Sequence, residues 1–249
     1  MSEIRHVPRA PTETRWLPAG AEVDEHRHDE PQLVYASAGV LEVTAADGTW
    51  FTPPNRAIWV PAGVVHRWLV HGSSTVHLVG LPGRSPLPGR RPGLLQITPL
   101  LRELIMAATD GAGDTAASRR LLGVLRDQLV LAPGPPTMLP RLADDRLRAV
   151  AELVERELSQ PESLDRLGRR IGCSARTLSR LFRSELGMTF PQWRTQLRLH
   201  RAALLLAEGR TVSQVAAACG WSSPSAFITE FRRAFGDTPG ALSRRPSNP

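Results

Sequence analysis

The sequence predicts a two-domain α+β protein: a small antiparallel β-barrel, then an all-α domain holding two helix-turn-helix modules. Three observations predict it. Residues 15–81 alternate short Val-, Leu- and aromatic-rich stretches with turn signals. Residues 163–191 and 211–239 carry one helical pattern twice, about 49 residues apart. The positive charge is confined to the half with that repeat. Residues 1–140 hold 13 Arg against 13 acidic residues, whereas residues 141–249 hold 18 Arg against 11, the whole net charge of +7. No Lys occurs. A localised positive field is what phosphate neutralisation and counterion release require, so the second half is expected to bind nucleic acid.

The elements follow in order. A length of 249 residues accommodates two medium domains. Residues 1–15 are polar and read as a loose arm. Strands are expected at Gln32–Ala36, 40–44, 58–60 and 76–81. Turn signals at Ala38-Gly39, Asp47-Gly48, Pro53-Pro54-Asn55 and Ala62-Gly63 separate them, and such close spacing suits a barrel or sandwich. The first domain is read as residues 1–81. A Pro/Gly/Arg connector, 82–92, follows.

In the middle region, 82–140, Leu100, Leu101, Leu104, Ile105 and Ala108 share one helix face. Leu121, Leu122, Leu125 and Leu129 share another, with residues 111–115 between the two helices. These helices are expected to dimerise the chain; padding of the barrel is the other reading. Residues 132–140 contain four prolines in nine positions, which stop a helix and hold an extended linker.

The third region, 141–249, begins with an amphipathic helix at 144–158. A long helix, 192–207, bridges the two repeats and packs through Trp193, Leu197, Leu204 and Leu205. Residues 246–249 read as a frayed tail. No apolar run of membrane-spanning length and no N-terminal signal pattern is present, so a cytoplasmic protein is expected. Cys173 and Cys219 fall near equivalent turns of the repeats and read as small buried thiols rather than a redox pair.

Matching positions define the repeat. Leu164 and Leu167 answer to Val212 and Val215, Gly172 to Gly220, Phe182 to Phe231, Gly187 to Gly236, and Pro191 to Pro239. A helix pair joined by a short Gly-bearing turn presents its second helix to a DNA major groove. The second copy reads V-x-x-V-A-x-x-x-G-W-x-S-x-S-x-F-x-x-x-F-R-R-x-F-G-x-T-P from Val212 to Pro239. This string resembles the signature of the arabinose-regulator (AraC/XylS-type) family of bacterial transcription factors over about 100 residues, roughly 144–245. The resemblance implies seven helices, with two modules joined by one long helix on two adjacent major-groove segments of an operator. A homodimer, an RNA polymerase partner and a nucleoid-associated location are expected of such a regulator. After the final Thr-Pro, Ala241-Leu242-Ser243-Arg244 replaces the family's usual aromatic-basic pair.

Helix geometry then selects residues. In the first repeat Ser174 is the N-cap, and Leu178, Leu181 and Phe182 point inward. The opposite face carries Arg176, Thr177, Ser179, Arg180 and Arg183. Arg176, Ser179 and Arg180, nearest the helix N-terminus, are assigned to base edges, and Arg183 to phosphate. In the second repeat Ser222 or Ser223 caps, Pro224 occupies the first turn, and Phe227 and Phe231 are core. Ser225, Ile228 and Thr229 are left facing the groove, where they discriminate weakly through thymine methyls. Arg232 and Arg233 read as backbone clamps.

In the first domain, residues 20–39 read G-x5-H-x-H-x3-Q-x6-G with His26, His28 and Gln32, and Pro61, Gly63 and His66 give P-x-G-x2-H. These resemble the two motifs of the cupin β-barrel. The resemblance implies that the corresponding side chains hold a divalent metal inside the barrel. Gln32 stands where a Glu is usual, Asn55 where a Gly opens the second motif, and Val70 where an Asn closes it. Two readings stay open. One is a site for Zn, Ni, Cu or Fe made of His26, His28, His66 and Gln32. The other is a metal-free effector pocket lined by the same histidines with Tyr35, Trp59 and Trp68. His71 and His77 lack a spacing partner and read as surface or strand residues.

A sequence-specific transcriptional regulator, not an enzyme, accounts for both halves, its barrel sensing a small molecule or metal. The alternative is a metal-dependent cupin enzyme fused to a DNA-binding module, against which the missing Glu counts. An architectural DNA protein would have no use for a separate barrel.

Overall fold

The computed structural model describes residues 4–111, 113, 115–131 and 138–242. The N-terminal part is a two-sheet sandwich. The first sheet runs, in spatial order, β1 (Arg5–Val7), β3 (Glu22–His28), β8 (His66–His71), β5 (Val40–Ala45), β6 (Gly48–Thr52) and β11 (Met138–Pro140). The second runs β10 (Gly93–Gln96), β7 (Arg56–Val60), β4 (Gln32–Ala36), β9 (Ser74–Gly80) and β2 (Glu13–Leu17). Every pairing is antiparallel except β1 with β3, a parallel pair that modifies the expected all-antiparallel barrel.

The second sheet is buried on both faces, and strand alternation sorts its side chains. Val34, Ile58, Val60, Val76 and Leu78 point between the sheets, where they meet Leu41, Val43, Trp50, Trp68 and Val70 of the first. Leu33, Tyr35, Trp59 and Val79 point the other way, under two helices, α1 (Pro99–Asp110) and α2 (Ala116–Asp127). Thr98 and Thr115 cap these helices, each accepting a backbone N–H of the first turn. Leu101, Ile105, Ala108 and Leu125 are their buried apolar positions, with Leu129 just beyond. The helices therefore cover the sheet, while Leu100, Val124, Val130 and Leu131 remain exposed.

Several boundaries differ from the sequence reading. The sheet does not end at residue 81, because Gly93–Gln96 adds an edge strand to it. The arm at 1–15 supplies β1 and the start of β2; residues 1–3 lie outside the described residues, as do 112 and 114 of the helix separator. Of the proline-rich linker, residues 132–137 also lie outside them, and its end is β11, paired with β6. The tail at 246–249 and the Ser243-Arg244 departure lie outside them too.

The C-terminal part is helical: α3 (Asp145–Arg156), α4 (Leu164–Arg170), α5 (Ala175–Leu186), α6 (Phe190–Ala207), α7 (Val212–Ala218), α8 (Pro224–Phe235) and α9 (Pro239–Leu242). The starts of α3 to α8 each have a local cause. Asp144, Ser163, Ser174 and Ser223 cap through side-chain oxygens, and Thr189 with Gln192 and Thr211 with Gln214 form reciprocal capping boxes. Gly187 and Gly236 end α5 and α8 in the left-handed conformation.

α6 is shared between two cores. Its Phe190, Trp193 and Leu197 join Leu167, Leu178 and Phe182 of the first module. Its Leu199, Ala202, Ala203 and Leu206 join Val215, Phe227, Phe231 and Phe235 of the second. Leu205, also on α6, is in the second core, and Leu204 is half-buried. Cys219 is buried and Cys173 half-buried, both as free thiols.

Candidate nucleic-acid interface and metal centre

The turn between α4 and α5 is tight. A Cβ on Gly168 would lie 2.3 Å from the Cys173 carbonyl oxygen, so only glycine lets the two helices of the first module close. Closure buries Leu178, Leu181 and Phe182 and turns the other face of α5 outward. Arg176, Arg180 and Arg183 are on that face, with no ion-pair or hydrogen-bond partner among the described residues. The arginines of α4 differ. Arg166 pairs with Glu162 at 3.2 Å, Arg170 with Glu162 at 3.0 Å, and Arg169 with Asp165. The free cations of the first module thus lie on α5, although the two helices carry three Arg each.

Thr177 and Ser179 flank that face, both half-buried. The Thr177 hydroxyl is bonded to Ser174 Oγ at 2.9 Å, so it supports the cap. Ser179 and Arg183 line a cleft of about 640 Å³ with Ser163, Thr189 and Thr195.

On α8, Ser223 is the cap, resolving the Ser222/Ser223 alternative, and Ser225, Ile228 and Thr229 lie along the outward side. The Thr229 hydroxyl donates to the Ser225 carbonyl at 3.0 Å. Arg232 is exposed, whereas Arg233 holds Glu230 at 2.6 Å. Such an exposed pair is weak, about 0–1 kcal/mol, and opens readily to a competing anion.

Inside the sandwich, His26 on β3 stands directly opposite His66 on β8, and His28 lies two residues along the same face. All three are buried. One ring nitrogen from each lies within 4.8 Å of the others. Their Nδ1 atoms contact carbonyl oxygens: His26 with Asp24 at 2.7 Å, His28 with Val7 at 3.1 Å, His66 with Val64 at 3.0 Å. A carbonyl only accepts, so each Nδ1 carries the proton and each neutral ring keeps a free lone pair on Nε2.

His28 Nε2 and His66 Nε2 are buried without a partner, and so is the Oε1 of Gln32. Alternation with Val34 and Ala36 turns Gln32 to the same interior. Burial depresses the pKa of all three imidazoles, most for His66, pushed down to about 4. Three neutral imidazoles, each oriented by a backbone carbonyl, together with an amide oxygen fit a divalent transition metal.

The aromatic residues do not share that compartment. Trp68, two residues beyond His66, faces the interior, but Tyr35 and Trp59 lie on the opposite face of the second sheet, under α1 and α2. A single pocket of histidines with Tyr35, Trp59 and Trp68 is therefore not what the fold builds. His71 is half-buried and bonds Glu42 at 2.8 Å. Both are strand residues, His71 on β8 and His77 on β9; His77 is buried, held by Thr14, Thr109 and Ser37.

Contacts between the halves escape a reading of the sequence. Asn55, where the motif departs from Gly, donates its Nδ2 to the Phe235 carbonyl at the end of α8, at 2.8 Å. Phe51 places its ring centroid 4.3 Å from that of His200 on α6. The Asn55 departure is the one visible signal; Phe51 and His200 carry none.

The fold and these two sites define a class, a DNA-binding regulator with a ligand-binding β domain. A family described as "AraC-like ligand binding domain" matches residues 15–125, and one described as "Helix-turn-helix domain" matches residues 167–245. The HTH-type transcriptional regulator NimR of Escherichia coli K12 is 33% identical over 223 residues, 88% of this chain and 82% of that protein. The probable transcriptional regulator LumQ of Photobacterium leiognathi is 27% identical over 86% of this chain and 89% of its own. Among solved structures, an apo form of ToxT from Vibrio cholerae aligns at 12% identity with a TM-score of 0.40, over 96% of this chain and 98% of that one. The chain belongs to the AraC family of helix-turn-helix transcriptional regulators. No helix among the described residues is long and apolar enough to cross a membrane.

Proposed function

We propose that this AraC-family regulator reads its operator with α5 and α8 under the control of a metal held in the sandwich. The observation that carries the metal is the pair of buried, unpartnered Nε2 atoms on His28 and His66, beside His26 and in the interior that the Gln32 amide oxygen faces. His26, His28, His66 and Gln32 would hold Zn, Ni, Cu or Fe, the donor set being neutral and unselective among them. When bound, the ion supplies a Lewis-acidic anchor for a small effector. The location of Tyr35 and Trp59 beyond the sheet favours this reading over a metal-free aromatic pocket.

On the DNA side, Arg176, Ser179 and Arg180 reach base edges, and Thr177 supports the cap. Arg183, Arg232 and Arg233 meet phosphates, and Ser225, Ile228 and Thr229 make the weaker contacts of the second module. The exposed Leu100, Val124, Val130 and Leu131 support a homodimer through the helical layer, in which two modest half-site affinities multiply. RNA polymerase is the partner such a regulator acts on, in the cytoplasm beside the nucleoid. The relatives' names as transcriptional regulators support a non-enzymatic role.

Metal analysis tests the sensor. Untagged protein equilibrated with zinc or nickel should retain about one ion per chain, and His66→Ala should retain none. A reading near zero that added metal does not change removes the metal from this proposal.

A further inference from the structure

One face of α6 carries two arginines a single turn apart, Arg194 and Arg198, and each reaches a different module. Arg194 donates to the carbonyls of Leu158, Gln160 and Glu162, the segment that leads into α4. Arg198 donates from Nε to the Cys219 carbonyl, in the turn of the second module, and its guanidinium carbon lies 4.2 Å from the centre of the Trp221 ring. The two held segments touch. A Cβ on Gly220, which sits at φ 72°, would lie 2.6 Å from the Ser159 carbonyl oxygen, and Ser159 belongs to the stretch that Arg194 grips. A closed brace results, running from α6 through Arg194 to Ser159, across to Gly220, and back through Arg198.

We propose that Arg194, Arg198 and Gly220 are positioning residues that lock α5 and α8 at one separation and one twist, so that the regulator accepts a single spacing between its two base-reading segments. None of the three needs to touch DNA for this. A shared hydrophobic helix alone leaves the modules free to rock about α6, whereas backbone contact at Ser159 and Gly220, with three carbonyls fixed by one guanidinium, removes that freedom. A pre-organised reader binds its matched spacing without an ordering cost and meets a mismatched one by straining the duplex or releasing a module. The proposal rests on the two-module reading of DNA.

The test is selection from a random-sequence duplex library with the full-length chain, followed by binding to the selected site with one base pair inserted between its two segments. Wild type and Arg201→Ala, an exposed position elsewhere on α6, should enrich sites of a single spacing and lose roughly tenfold or more on the insertion. Arg194→Ala/Arg198→Ala should enrich the same two segments over several spacings and lose less than about threefold on the insertion. Arg198→Lys, which keeps a cation over Trp221 and so guards the fold, should broaden the spacing as well. Variants that bind weakly at an unchanged single spacing overturn the proposal while leaving the two-module reading intact. A wild type that enriches one unsplit segment overturns both.

Discussion

Arg180→Ala separates base recognition from simple charge. Arg180 is exposed and without a partner among the described residues, so its truncation removes no contact that holds the fold, and alanine is the better helix former. The expected change in melting temperature is therefore negligible. A guanidinium bidentate to guanine O6 and N7 is worth about 1–3 kcal/mol, which is roughly a 5- to 150-fold loss on the selected site. On scrambled DNA the same change removes one charge from the protein's +7 and lowers affinity only a few-fold at moderate salt.

Arg169→Ala supplies the control. That residue is equally cationic but sits on α4, paired with Asp165. Its loss should alter specific binding less than about threefold, since an exposed pair of this kind contributes little. Gel-shift titrations of both variants on cognate and scrambled duplexes, at two salt concentrations, give the ratio directly. Equal losses for Arg180→Ala on the two DNAs would refute the assignment and make Arg180 a phosphate contact.

Three further outcomes are expected. In the metal-free protein, His66 keeps a native pKa of about 4 against an ordinary 6.5, so above pH 6.5 the native and unfolded chains are both neutral at this ring. As pH falls from 6.5 towards 4 only the unfolded chain takes up the proton, and stability drops by up to about 3 kcal/mol; melting curves at pH 7.5, 6 and 5 should show it, with a shallower slope for His66→Gln. A flat profile in wild type would contradict the buried neutral ring. Gly168→Ala should destabilise the C-terminal domain by about 1–3 kcal/mol, because a Cβ would collide with the Cys173 carbonyl; an unchanged denaturation midpoint would count against the tight turn. Asn55→Ala removes the donor to the Phe235 carbonyl, a loss of about 1 kcal/mol, and should hasten proteolytic cleavage between the two halves while leaving metal retention as it was.

The helical domain is legible in the sequence because most of its helices bury one stripe and several carry recognisable start or stop residues. Ser174, Thr211 and Pro224 mark starts, Gly187 and Gly236 mark stops, and the Phe spacing of the second module marks its inner face, whereas the Thr189–Gln192 capping box starts α6 at Phe190, ahead of the expected 192. The sandwich is less legible for a physical reason. β4 and β7 are buried along their whole length, so their sequences, QLVYA and RAIWV, show no alternation that tells one face from the other. The sequence alone therefore groups Tyr35 and Trp59 with the histidine compartment, although they face α1 and α2. β3 misleads in the opposite way: EVDEHRH has one apolar residue, Val23, packed on the inter-sheet core, and its buried positions are the histidines.

That contrast bears on how sensor and reader are joined. The first sheet has one face on the histidine compartment and the other towards α3 and α6, across a cleft of about 710 Å³ lined by Glu42, Thr44, Arg67, Glu155 and Trp193. β8 places His66 and Trp68 inward and Arg67 outward in three consecutive residues. A shift of β8 on loading the site would move Arg67, which borders the cleft between the first sheet and the helical domain. The outer face of the second sheet is covered by α1 and α2, and it meets the helical domain at the start of β7, where Arg56 lies beside Gly236. In the proposed function, coupling to the DNA-reading helices would run through the first sheet and the β6–β7 corner, where Asn55 holds the Phe235 carbonyl, and coupling to a second copy would run through the helices on the second sheet. Under the proposed metal control, Asn55→Ala should weaken the metal's effect on DNA affinity without changing the monomer–dimer balance.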